Sequence, residues 1–304
     1  MKRILRDIKK VLIVGVGAMG SGIAQISAQS GFEVYINDLS PQSLKDAMEK
    51  IESNLRRSQA AGRLTEGEVL ETMERITPVT SLADAADTDM VIEAIIERPE
   101  AKKALFEDLA QICRNDVIMA SNTSTVSISD IASASDFPEN FVGLHFFNPP
   151  AKMKLVEVVT GFFTSKDTVE TCEAFAAKLG KQCIHSEDSA GFIVNHLLIP
   201  MLNEAVILLA KGIGTVEDID KGMKLGCNHP MGPLELIDLI GADITLSIME
   251  ILLDESGDSK YRPSQLLKRM VRAHQLGVKT GRGFYLYDEN GKKCGINIRK
   301  GLQS

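Results

Sequence analysis

The sequence predicts an α/β protein: a doubly wound sheet followed by an all-α domain. Three observations carry that prediction. Residues 10–38, KVLIVGVGAMGSGIAQISAQSGFEVYIND, read as strand, glycine turn, helix and strand. Apolar strand runs then alternate with helical patterns as far as about residue 160. After Asp188 only helical periodicity remains.

The opening unit starts with the continuous apolar run Val11-Leu12-Ile13-Val14, as expected of a parallel strand covered on both faces. Gly15, Gly17 and Gly20 follow, with Ala18 and Met19 between them. Gly15 permits a tight turn, Gly17 lets backbone approach a pyrophosphate, and Gly20 allows close packing of helix on strand. Free N–H groups at the helix start, aided by the helix dipole, then favour phosphate. Gly31 stops the helix, and Phe32, Val34 and Ile36 alternate as a second strand that ends at Asp38. A carboxylate there accepts hydrogen bonds from ribose hydroxyls and repels a 2′-phosphate. A purely structural glycine turn is the competing reading. Strand, helix and acid all stand where a dinucleotide site of Rossmann type requires them. NAD is the expected cofactor, and Gly15, Gly17, Ala18, Met19, Gly20 and Asp38 are its first candidate contacts.

Ser40-Pro41 predicts the next helix start, and Leu44, Met48, Ile51 and Leu55 continue it. Arg56, Arg57 and Arg63 are either a solvated face or a patch for substrate phosphates. The sequence leaves both open. Residues 89–92, 116–120, 141–144 and 155–159 read as buried strands, and 99–113 as a helix. Glu93, Asn122, Ser124 and His145 each follow an apolar strand run. Ligands of doubly wound sheets bind at the carboxyl ends of strands, so these groups are expected to converge. Helices are expected at 191–211, after the capping pair Thr215 and Asp218, at 233–253 and at 263–275. The predicted domains are therefore 1–188 and 189–304.

Composition narrows the function classes. Hydrophobic residues make up 44% and charged residues 25%, as in an ordinary soluble protein. A net charge of −7 gives no support for nucleic acid or an anionic membrane as partner. Five scattered cysteines without a CxxC pair read as reduced thiols of a cytoplasmic protein. The charged first ten residues lack the apolar core of a signal peptide. The apolar stretch 192–210 contains Asn195, His196, Asn203 and Glu204, so it reads as a buried helix, not a span. No metal site is expected, because His229 has no second ligand at metal spacing.

Two polar residues sit in apolar strand runs. His145 ends one, before Asn148-Pro149, and Glu157 interrupts the run 154–159. A carboxylate amid valines is costly to bury unless paired. Neighbouring strands would bring His145 and Glu157 together. Residue types alone also allow a core histidine and an edge-strand glutamate, each satisfied locally. Asn195 is open in the same way, between a helix-packing amide and a hydrogen-bond donor to substrate.

The ordered motifs GVGAMGSGIAQ, ASNTS, GLHFFNPP, MKLVEVV, GFIVN, NHPMGPLEL and KTGRGFY cover the chain from about Lys10 to Tyr287. With them the chain resembles the short-chain 3-hydroxyacyl-CoA dehydrogenases, most closely the bacterial 3-hydroxybutyryl-CoA dehydrogenases. The resemblance implies a Rossmann-type NAD-binding domain, a helical dimerisation domain and NAD-linked oxidation of an (S)-3-hydroxyacyl-CoA in fatty-acid or butanoate metabolism. It places the catalytic histidine on His145, its orienting glutamate on Glu157, and substrate contacts on Ser124 and Asn195. Cofactor contacts fall on Asp38, Glu97, Lys102, Ser124, Asn148 and Lys279. Coenzyme A contacts fall on and after the helix containing Asn54. The chain departs from the family pattern at Ala190, Lys152 and His196, where proline, an apolar residue and arginine are more usual. A homodimer is expected through residues after Asp188, from the family and from apolar Ile199, Met201, Leu202, Val206, Leu209, Leu236, Leu239 and Ile240. The rival readings are a dehydrogenase of the same fold for a non-CoA hydroxy acid or sugar acid, and a nucleotide-binding protein without catalysis.

Overall fold

The computed structural model describes residues 7–298. Residues 1–6, part of the segment in which no signal peptide was expected, lie outside the described residues, as do residues 299–304 of the tail. The chain forms two compact units that divide between Phe192 and Ile193. Phe192 belongs to the first because its ring is buried in that unit's core.

In chain order the first unit contains β1 (Lys10–Val14), α1 (Ala18–Gln29), β2 (Glu33–Asn37), α2 (Pro41–Ala60), α3 (Glu66–Glu74) and β3 (Ile76–Val79). It continues with β4 (Met90–Glu93), α4 (Pro99–Ile112), β5 (Ile118–Ser121), α5 (Ile128–Ala132), β6 (Phe141–Phe146), β7 (Leu155–Thr160), α6 (Lys166–Lys178) and β8 (Gln182–Glu187). The sheet runs in the order β3-β2-β1-β4-β5-β6-β7-β8. Strands β1 to β6 all run parallel to one another. Strand β7 runs antiparallel to β6, and β8 runs parallel to β7. The order reverses between β1 and β4, so the switch point of this sheet lies at the end of β1, where the glycine turn begins.

The continuous apolar run of β1 follows from burial on both faces. Val11 and Ile13 enter the core that also holds Ile23, Ile51 and Phe175. Leu12 and Val14 enter a second core with Phe106, Leu109 and Phe141. Helix α2 begins as its sequence predicts: Ser40 Oγ accepts the Ser43 N–H at 3.2 Å, with Pro41 as the first helical residue.

The second unit contains α7 (Val194–Ala210), α8 (Val216–Gly226), α9 (Pro233–Ile240), α10 (Ala242–Ser256) and α11 (Gln265–Arg272). A hairpin of β9 (Tyr285–Tyr287) and β10 (Lys293–Ile296) follows. Three expectations are corrected here. The helix expected at 233–253 is two helices, because Gly241 adopts φ +109° and breaks the run. The region after Asp188 is not helical throughout, since the tail closes as this hairpin. Of the apolar residues expected to be in surplus, Ile199, Leu202, Val206 and Leu209 are buried within the chain. Met201, Leu236 and Ile240 are half-buried and Leu239 is exposed, and outside that set Leu197, Ile213 and Leu225 are exposed as well.

Two buried acids knit this unit together. Asp238 accepts the Phe284 and Tyr285 N–H groups, both at 2.9 Å, and the Tyr287 hydroxyl at 3.0 Å. Asp220 accepts the Leu234 and Glu235 N–H groups and the Tyr285 hydroxyl at 2.7 Å. Burial raises Asp220, and it pushes Asp238 to about 6 against the donated bonds.

Candidate active site

His145 and Glu157 are direct cross-strand partners on β6 and β7. In an antiparallel pair such partners share a face, with Cβ atoms about 5 Å apart. The chain reversal between the two strands therefore brings acid and imidazole together. His145 Nδ1 lies 2.7 Å from Glu157 Oε2, and both residues are buried. A carboxylate only accepts, so Nδ1 carries the proton and donates. Nε2 of the neutral ring is then an acceptor, and the Ser124 hydroxyl stands 3.1 Å from it. The edge-strand reading of Glu157 fails because β8 covers β7 on its other side. Two aromatic rings brace the imidazole: Phe147 at 4.6 Å and Phe192, edge-on, at 5.6 Å between centroids.

Ser124 lies on the turn that leaves β5. Glu97 Oε1 accepts the Ser124 N–H at 2.8 Å, the Thr125 N–H at 3.1 Å and the Thr123 hydroxyl. Desolvation pushes the Glu97 carboxyl up, but the Lys102 ammonium and these hydrogen bonds outweigh it and hold it below its usual value. Lys102 is buried, with its ammonium 2.6 Å from Glu93 Oε1 and 3.1 Å from Glu97 Oε2. Glu97 and Lys102, expected as cofactor contacts, thus form one cluster with Ser124. Further along β6, Asn122 Oδ1 accepts the Phe146 N–H at 2.8 Å. Asp188 accepts the Ile128 and Ser129 N–H groups and the Ser127 hydroxyl, which ties down the start of α5.

The glycine turn fits a dinucleotide. A Cβ on Gly20 would lie 1.7 Å from the Gly15 carbonyl oxygen, and one on Gly15 would lie 2.6 Å from that of Ala94. Backbone closeness that only glycine allows is what a phosphate cradle needs. Gly17 caps α1 without a side-chain bond, and Gly17 and Ala18 are exposed, so the helix start presents its N–H groups outward. Met19 is half-buried against the core. Asp38 follows β2, and its Oδ2 accepts the Val16 N–H at 3.1 Å, which fixes the carboxylate beside the turn.

The remaining candidates stand apart from this cluster or in the second unit. Asn54 lies on α2 and donates to Gln25 Oε1 at 3.3 Å. Asn148 is exposed just after β6. Asn195 lies, buried, in the first turn of α7. Lys279 is exposed and pairs with Asp243 at 2.6 Å. The sequence reading missed Phe147, Phe192, Glu93 as the centre of a buried cluster, and Asp188 as a cap. The apolar signal preceding Glu93 was visible, but its partners come from α4 and β5.

A glycine turn followed by an acid at the end of the next strand, in the same sheet as a buried histidine paired to a carboxylate, is the equipment of a dinucleotide-dependent dehydrogenase. Residues 10–189 match the 3-hydroxyacyl-CoA dehydrogenase NAD binding domain, and residues 191–287 match the C-terminal domain of the same enzymes. The 3-hydroxybutyryl-CoA dehydrogenase of Bradyrhizobium diazoefficiens is 48% identical over 92% of this chain and 96% of its own length. Human mitochondrial hydroxyacyl-coenzyme A dehydrogenase is 40% identical over 92% of this chain and 91% of its own. The crystal structure of (S)-3-hydroxybutyryl-CoA dehydrogenase from Ralstonia eutropha superposes with a TM-score of 0.90 at 44% identity, covering 93% of this chain and all of that one. The chain belongs to the 3-hydroxyacyl-CoA dehydrogenase family. It is an NAD-dependent oxidoreductase acting on a CH–OH group.

Proposed function

We propose that the chain interconverts (S)-3-hydroxybutyryl-CoA and acetoacetyl-CoA, with His145 as the acid–base group. The observation that supports this most directly is the imidazole held between Glu157 at Nδ1 and Ser124 at Nε2. NAD, bound through residues 15–20, Asp38 and the residues around Glu97 and Lys102, supplies the hydride chemistry at substrate C3. In oxidation, His145 Nε2 takes the 3-hydroxyl proton, and in reduction it returns one to the 3-oxo oxygen. Glu157 fixes the tautomer and stabilises the imidazolium that forms, as the acid of a Ser-His-Asp triad does. Ser124 hydrogen-bonds the same substrate oxygen, and Asn195 is the further substrate contact. Asn148 and Lys279 complete the cofactor contacts, and Asn54 belongs to the coenzyme A side. Names of relatives such as that from Bradyrhizobium support the four-carbon substrate.

The test is turnover of a chain-length series of 3-ketoacyl-CoA thioesters, with free acetoacetate as control and NADH or NADPH as reductant. Acetoacetyl-CoA with NADH is expected to be the preferred combination. Equal turnover of free acetoacetate would move the chain to the non-CoA dehydrogenases. We further propose that the protein is a cytoplasmic homodimer, a reading supported by its five free cysteines and by exposed Leu197, Ile213, Leu225 and Leu239. Light scattering that gives a monomer at working concentration would refute the dimer. Fractionation that finds the protein outside the cytoplasm would refute the location.

A further inference from the structure

Glu93 ends β4 with a fully buried carboxylate that has no part in the chemistry above. An ionised acid in such a place costs several kcal/mol unless it is paired and hydrogen-bonded throughout. Both of its oxygens are satisfied. Oε1 accepts from Lys102 Nζ at 2.6 Å and from the Ile95 N–H at 2.7 Å. Oε2 accepts the Ser121 hydroxyl at 2.6 Å.

From these bonds two routes lead to one turn. Along the first, Ser121 Oγ accepts the Thr123 N–H at 3.3 Å. Along the second, Lys102 reaches Glu97 Oε2 at 3.1 Å, and Glu97 Oε1 accepts the Thr123 hydroxyl and the Ser124 and Thr125 N–H groups. The hydrogen bonds therefore close a circuit, Glu93–Lys102–Glu97–Thr123–Ser121–Glu93. Ser124 hangs from this circuit by its backbone, while its hydroxyl meets His145 Nε2. Resting on the assignment of Ser124 and His145 to the reaction, we propose that Glu93 is a positioning residue, which through this circuit holds the Ser124 hydroxyl against His145. Glutamine keeps the shape of Glu93 but removes its charge and presents an amide N–H₂ where one oxygen accepted. The circuit then loses one of its charge-assisted bonds, and the turn loosens.

The experiment is a double-mutant cycle on acetoacetyl-CoA reduction, with the parent, Glu93→Gln, Ser124→Ala and the pair, each checked for folding by circular dichroism. Glu93→Gln is expected to lower kcat on the order of tenfold, since sub-ångström displacement of a positioned group has effects of this size. In the Ser124→Ala background the same substitution should cost less than about twofold, because the group it positions is gone. A Glu93→Gln penalty that persists in full without the Ser124 hydroxyl would overturn the proposal, and so would a single variant within twofold of the parent. If Glu93→Gln does not fold, Ser121→Ala, which cuts one route and removes no charge, is run through the same cycle under the same criteria. An inactive parent would overturn the functional reading and this inference with it. An active parent with additive variants would overturn the inference alone.

Discussion

Glu93 and Asp238 are both buried carboxylates with every contact specified, yet they are satisfied by different partners. Glu93 shares an ammonium with Glu97, and its other donors are a hydroxyl and one amide. Asp238 receives two backbone amides and a phenol, and its neighbour Asp220 repels it. The acid that shares the ammonium with Glu93 and the acid in the second unit shift in opposite directions. Glu97 is held below the usual carboxylate range, whereas burial pushes Asp238 to about 6. A cation in the first unit's cluster favours the charged form of Glu97, whose hydrogen bonds hold the turn that carries Ser124. In the second unit, Asp220 and Asp238 serve as acceptors that fasten a hairpin to helices, and burial favours the neutral form of each.

If this contrast is right, the two units should fail in different ways. His145→Gln should lower turnover on the order of a hundredfold to ten-thousandfold, the usual worth of a positioned acid–base group, with NADH binding and melting temperature kept. Full activity in that variant would remove the histidine from the chemistry. Asp238→Ala should act on stability instead. It strands two amides and a phenol, and should lower the unfolding free energy by about 3 kcal/mol or more in denaturant titrations. An unchanged denaturation midpoint would show that the hairpin is held by something else.

The smallest effect sharpens the contrast most. Asp238 has a higher pKa folded than its ordinary 3.8, so folding favours its protonated form. Its contribution to stability is fully present below 3.8 and is lost as pH rises through about 6. Relative to Asp238→Asn, which cannot titrate, the parent should lose about 2 kcal/mol of stability across that window. Parallel stability curves for the two proteins between those pH values would contradict it. Glu97 runs the other way: its charged form is favoured on folding, and that contribution disappears only as pH falls through its lowered pKa.

How much of this was legible in the sequence varied with burial. Strand β1 is covered on both faces, so its apolar run was unmistakable, and the glycine turn and Asp38 followed at fixed offsets. Strands β3 and β8 are the two edges of the sheet. An edge strand tolerates Pro78 in the first and Gln182 and His185 in the second, so neither showed an apolar run. Helix α3 announced itself only by its Thr65–Glu68 capping box, which was overlooked. Pairing of His145 with Glu157 was legible as a suspicion, because a lone acid among valines demands a partner. The circuit around Glu93 was not, because its members come from β4, α4 and the end of β5, and no local period links them.

The antiparallel step from β6 to β7 also says what kind of sequence change this protein can absorb. His145 faces Glu157 only while the two strands keep their register. Successive side chains of a strand point to opposite faces, so a slip of one residue turns the carboxylate away from the imidazole altogether. Residues 151–154, which lie beyond Phe147 and Asn148 in the connection between the strands, can gain or lose length so long as β7 re-enters the ladder at the same rung. An insertion inside Leu155–Thr160 has no such freedom. The loop is the adjustable part of the catalytic pair, and the strand beside it is the fixed ruler.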